Sequence, residues 1–204
     1  MLCLKVSTDR AWTNIAMSDV DAVLVDHAQC ELKAASNALS LAARHPGDTE
    51  LVFALTDLAR EEIDHFQRVV AALKARGVAC EAPSEDRYAI ELRRAISTLT
   101  HEPGLSPLVD RLLVCALIEA RSCERFKLLA EAGAEAGHAL EPLWQDLFAS
   151  EAQHYTTFVD LAVRAAGGNR ALTIARLERL ADVEGAIVSS LGSKEPAVRA
   201  AIHG

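Results

Sequence analysis

Aromatic residues are scarce in this chain of 204 residues: five Phe, two Trp and two Tyr make up 4% of it. So small a supply excludes a core built on ring stacking. The apolar half of the sequence is mostly Ala and Leu, both of which favour helix over strand. No apolar run approaches the roughly 20 residues that span a bilayer, so no membrane helix is expected. The opening MLCLKVSTDRAW has no long apolar stretch of the signal-peptide kind, and a cytoplasmic protein is expected. Cysteine occurs five times (Cys3, Cys30, Cys80, Cys115, Cys123) but never as C-x-x-C. That excludes paired-thiolate modules of the rubrerythrin electron-transfer kind and leaves reduced thiols as the simplest reading. An excess of positive charge is also missing. The formal net charge of −8 argues against a broadly basic nucleic-acid face, while leaving room for a local patch. No low-complexity segment or long linker divides the chain, so a single domain over residues 1–204 is expected.

What is present is helical periodicity almost throughout. Ser18 can cap a first helix running to about Arg44, where His45-Pro46-Gly47-Asp48 makes a turn. Asp48 caps a second helix that ends near Arg76, before Gly77. A shorter helical stretch, about Asp86 to Leu99, follows a break at Pro83-Ser84. Ser106-Pro107 reads as a cap with a first-turn proline, opening a third long helix that reaches about Ala132. Pro142 opens the fourth, Gly167-Gly168 closes it, and a last helix spans about Ala171 to Ser190. Two helical hairpins joined by a long connection fit the ferritin-like four-helix bundle, with the middle helix in the crossover and one more at the C-terminal end. The fold class expected is all-α.

Each long helix carries an apolar stripe, and each stripe is interrupted at its middle by groups that resist burial. The first has Val20, Leu24, His27, Glu31, Ala34, Ala38 and Leu41; the second Leu51, Leu55, Leu58, Glu62, His65, Val69 and Leu73. The third has Leu108, Leu112, Cys115, Glu119, Phe126 and Leu129; the fourth Leu140, Trp144, Leu147, Glu151, His154, Phe158 and Leu161. A buried carboxylate without counter-charge costs several kcal/mol. Four of them with two histidines require positive charge, and a metal pair supplies it. One Glu from each of two helices and one Glu-x-x-His from each of the other two is the ligand pattern of di-metal bundles. Glu and His three apart project from one helix face, about a turn from each other. Bridging carboxylates with imidazoles favour iron or manganese, and the lack of a thiolate argues against zinc.

Chance alone supplies few such pairs. With 17 Glu and 7 His, random placement gives about 0.6 Glu-x-x-His pairs from composition alone. The sequence has Glu62/His65, Glu151/His154 and Glu135/His138, the last among glycines at a helix end and off any stripe. Two neighbours stay open. His27 is either a partner of Glu31 or an ordinary buried histidine, and Glu61 either supports His65 or sits on a solvated face. One of Arg121, Glu124 and Arg125 is expected to pair near Glu119.

The segments Asp26-His27-Ala28-Gln29-Cys30-Glu31-Leu32-Lys33-Ala34-Ala35 and Leu117-Ile118-Glu119-Ala120-Arg121-Ser122-Cys123-Glu124-Arg125-Phe126 resemble the tRNA isopentenyladenosine hydroxylase (MiaE) family. Glu61-Glu62-Ile63-Asp64-His65-Phe66 and Ser150-Glu151-Ala152-Gln153-His154-Tyr155 are similar to its two Glu-x-x-His segments. The likeness covers most of the chain in the same order. It implies a di-iron, dioxygen-dependent monooxygenase that hydroxylates the prenyl side chain of 2-methylthio-N6-isopentenyladenosine at tRNA position 37. It implies Glu31, Glu62 and His65 on one iron and Glu119, Glu151 and His154 on the other, with Glu62 and Glu151 as bridges. Two external electrons are needed and the chain has no flavin or ferredoxin motif, so a separate electron-donor protein is expected. Contact with the anticodon loop calls for cations. Arg164, Arg170, Arg176 and Arg179 form the favoured stretch, and Arg87, Arg93 and Arg94 the other. The rivals are another di-iron oxidase, a non-catalytic iron-binding protein and a helical interaction module.

Overall fold

The computed structural model describes residues 2–80 and 86–194. All its regular elements among these residues are helices: α1 (Arg10–Ser18), α2 (Val20–Arg44), α3 (Thr49–Ala75), α4 (Arg87–Ser97), α5 (Pro107–Ala136), α6 (Glu141–Ala165) and α7 (Arg170–Lys194). The chain divides into two compact units. Residues 15–80 belong to one, and residues 2–14 with 86–194 to the other. No helix among the described residues is long and apolar enough to cross a membrane.

In the first unit α2 and α3 form a hairpin. Ser18 does not cap α2 as the sequence suggests: its hydroxyl donates back to the Ile15 carbonyl (2.7 Å) and finishes α1, a helix the periodicity did not single out. Asp19 takes the capping role, accepting the Ala22 N–H at 3.2 Å. Asp48 caps α3 as expected, accepting the Leu51 N–H at 3.1 Å, and the short turn before it brings α3 back antiparallel to α2. All seven stripe residues of α3 are buried. On α2 the stripe holds except that Ala35, rather than Ala34, continues the buried face. Each leucine so buried contributes about 1.5–3 kcal/mol relative to exposure.

In the second unit α5 and α6 form the other hairpin. Pro107 occupies the first turn of α5, but Ser106 makes no side-chain cap bond. The helix passes Gly133 and ends at Ala136, four residues beyond the expected Ala132, where Gly137 turns left-handed (φ 63°). Gly133 is kept inside the helix by a neighbour. A Cβ there would lie 2.7 Å from Cζ3 of Trp144, the fully buried indole of α6. Trp144 also stacks on His138 with ring centroids 4.8 Å apart, so the histidine of the third Glu-x-x-His pair serves the turn between α5 and α6, while Glu135 is exposed.

Asp86 caps α4 by accepting the Ala89 N–H (2.9 Å), and Tyr88, Ala89, Leu92 and Ile96 form its buried face against α7 and α5. The Pro83-Ser84 break lies outside the described residues. The helix expected from Ala171 to Ser190 is longer at both ends, as α7. A buried polar cluster holds the N-terminal segment on this unit. Arg121 donates through Nε and Nη2 to Glu184 (3.0 and 2.8 Å) and through Nη2 to the Val6 carbonyl (3.0 Å). Thr8 donates to Glu124 through its N–H (3.1 Å) and its hydroxyl (2.6 Å). Arg125 lies over Trp12, 5.0 Å from the ring centroid.

Candidate metal centre

The six expected ligands fall three to each hairpin, and all six are buried. Glu31 reaches inward from α2, and Glu62 and His65 from adjacent turns of α3. Their ligand atoms lie within 4.8 Å of one another. His65 Nδ1 stands 3.6 Å from Glu31 Oε1 and 3.8 Å from Glu62 Oε2. His27, one turn before Glu31, places Nε2 2.6 Å from Glu31 Oε1, which favours the partner role over the bland one. Glu61 is exposed, in keeping with a solvated face.

Burial alone would raise the Glu31 carboxyl. The charge of His27, with His65 close by, outweighs it and holds Glu31 well below the usual carboxylate range. Burial would lower His65, yet its attraction to the nearby Glu31 and Glu62 carboxylates pushes it up to about 10. Two carboxylates thus hold a proton on an imidazole they both face. A divalent cation is the other species that such a set of oxygen and nitrogen donors suits, and it would have to displace that proton.

The second hairpin supplies Glu119 from α5, with Glu151 and His154 from adjacent turns of α6. Each is flanked along its helix by stripe residues that are themselves buried, among them Leu112, Leu147 and Phe158. The donor set repeats that of the first hairpin: two carboxylates and one imidazole. Such donor types suit a hard or borderline divalent ion, and within one hairpin the three shown gathered are Glu31, Glu62 and His65.

The arginines depart from expectation. Arg121 does pair, but with Glu184 and Glu124 in the cluster under the N-terminal segment. There burial and the Glu184 charge raise the Tyr88 hydroxyl well above its ordinary value. Glu184 was not singled out by sequence, although its spacing from Leu177, Leu180 and Ala181 on one face of α7 carries the signal. Arg176 is not a rim cation. It is 1% exposed and grips Asp110 through Nε (2.8 Å) and Nη2 (2.7 Å). Arg179 pairs with Glu102, and Arg170 lies 3.4 Å from Asp160. Partners distant in sequence thus take up Arg176 and Arg179, two of the four arginines of the favoured stretch.

A family model described as tRNA-(MS[2]IO[6]A)-hydroxylase (MiaE) matches residues 1–199. The chain belongs to this family. Among the family's relatives is a protein of Pseudomonas putida named tRNA 2-(methylsulfanyl)-N(6)-isopentenyladenosine(37) hydroxylase. It is 43% identical over 155 residues, covering 76% of this chain and 72% of that protein. A Salmonella typhimurium protein of the same name is 37% identical over 117 residues, covering 57% of this chain and 41% of its own length. Among solved structures, the chain is similar to Protein 43 with aldehyde deformylating oxygenase activity from Synechococcus. That likeness has a TM-score of 0.85 and 36% identity, and covers 100% of this chain and 96% of the other. The fold is all-α and ferritin-like, and the chain is an enzyme of this hydroxylase family. The buried Glu and His clusters are compatible with the di-iron centre of that fold.

Proposed function

We propose that the chain is a di-iron monooxygenase that hydroxylates the isopentenyl group of 2-methylthio-N6-isopentenyladenosine at position 37, in the anticodon loop of tRNA. Its membership of the MiaE hydroxylase family over residues 1–199 carries this reading. In it Glu31, Glu62 and His65 hold one iron, and Glu119, Glu151 and His154 the second. The iron pair, when bound, supplies activation of dioxygen, so that one oxygen atom enters a C–H bond and the other leaves as water. Two electrons and two protons complete the balance, and a separate donor protein supplies the electrons. The reaction takes place in the cytoplasm.

The chain's own side chains supply the setting. Four carboxylates match the charge of two divalent ions, so the buried set is neutral once loaded. His27 places Nε2 2.6 Å from Glu31 Oε1, the oxygen that also faces His65, and so would help to hold that carboxylate in place. The buried Leu58 and Leu147, each one turn before a Glu-x-x-His, keep water from the acids and so protect the oxidising chemistry from wasteful reduction.

The test is mass spectrometry of tRNA from a strain lacking this gene, with wild-type chain or Glu119→Ala supplied. Wild type is expected to restore one oxygen atom to the modified adenosine, and Glu119→Ala to leave it missing while losing bound iron. Failure of the wild type to add that oxygen would overturn the reading. A second reading, an oxygenase acting on an aldehyde, has the name of the solved neighbour behind it. Turnover of an aldehyde with no change in tRNA would favour it.

A further inference from the structure

We infer that the outer face of α4 is the surface that grips the phosphate backbone of the substrate RNA; this rests on the tRNA reading above. Helix α4 is sharply two-sided. Tyr88, Ala89, Leu92 and Ile96 are buried, whereas Arg87, Ile90, Glu91, Arg93 and Arg94 are exposed. Arg93 and Arg94 against Glu91 make this short face positive in a chain whose net charge is −8. Arg93 and Arg94 take part in no ion pair among the described residues. The rival stretch on α6 and α7 is largely spent: Arg176 on Asp110, Arg179 on Glu102 and Arg170 beside Asp160.

The chemistry favours phosphate. Each cation is a guanidinium, whose planar fork matches two phosphate oxygens at once. Arg93 and Arg94 are adjacent, about 100° apart around the helix, and both stand on its exposed side. The helix is also firmly seated. The Tyr88 hydroxyl donates to Glu184 Oε1 at 3.0 Å, and Glu184 in turn holds Arg121, two residues along α5 from Glu119. The start of α4 is therefore fixed beside the stretch of α5 that carries a proposed ligand.

The test is binding of a prenylated anticodon stem-loop to the iron-loaded, full-length enzyme, followed by fluorescence anisotropy between 50 and 300 mM salt. Arg93→Glu/Arg94→Glu is compared with Arg93→Gln/Arg94→Gln and with Arg170→Glu, all checked for helical content and iron. Reversal is expected to weaken binding at least about tenfold at 0.1 M salt and to flatten the salt slope by about 1.5. Neutralisation should act the same way but less, and Arg170→Glu should change little. Unchanged affinity and slope in both double variants, beside a wild type that binds, would discard this face while leaving the hydroxylase reading intact. So would a loss confined to reduction by the donor protein, which would assign the face to an acidic protein. A wild type that neither binds nor modifies the stem-loop would remove both readings.

Discussion

Around Glu31 the metal-free protein stores a charge arrangement with a definite pH signature. His65 is raised from 6.5 to about 10 by Glu31 and Glu62, so the stability it contributes is complete below about 6.5 and is lost as pH rises towards 10. Glu31 is held well below 4.5, so its share is present above that value and fails only as the solution becomes strongly acid. The interaction is one and the same and is counted once. The metal-free protein should therefore melt highest between about pH 4.5 and 6.5, with Tm falling through the alkaline range. Thermal melts at pH 6, 7 and 8 measure this, and His65→Gln should flatten the decline over that range, below the pH at which the Cys123 thiol and the Tyr88 hydroxyl, both raised by burial, add their own. A decline between pH 6 and 8 that survives the substitution would mean that His65 carries no such proton. At this scale the sequence was legible where one helix face set the answer: all six residues proposed as ligands are buried, and so is His27. It was not legible where the partner came from far along the chain. Arg176 looked like a solvated cation because nothing local shows that Asp110, 66 residues away, accepts its guanidinium.

Turns and caps decided the elements. Asp48 and Asp86 serve as N-caps, and Gly137 ends α5 as a left-handed residue should. The sequence misled at Ser18, which bonds backwards to its own helix, and at Gly133, which looked like an ending. Local propensity cannot reveal that a glycine inside α5 exists to admit an indole from α6. Exchanging glycine for alanine in a helix interior ordinarily stabilises by about 1 kcal/mol. Gly133→Ala should do the opposite, because the new methyl meets Trp144 Cζ3 at 2.7 Å and Cε3 at 2.9 Å in a packed core. Overpacking of this kind costs about 1–3 kcal/mol. A chain of this size loses about 2–4 °C for each kcal/mol, so a drop of several degrees is expected by calorimetry. Gly47→Ala, with nothing within 4 Å of the added carbon, should leave Tm almost unchanged and serves as the control. Equal Tm values for the two variants would mean that Trp144 yields more readily than its burial implies.

Across the whole molecule, the scarcity of aromatics becomes a tool. Trp12, Tyr88, Trp144 and Tyr155 all belong to the unit formed by residues 2–14 and 86–194, and residues 15–80 contain neither tryptophan nor tyrosine. Intrinsic fluorescence therefore watches one hairpin and is blind to the other, whereas circular dichroism sees the helices of both. A chain that folds as one domain should give superimposable urea curves by the two optical methods. If the α2–α3 hairpin melts on its own, ellipticity will start to fall while the emission spectrum still reads native. The protein thus carries its own site-selective dye, and a fluorimeter beside a polarimeter suffices to ask whether its two halves live and die together.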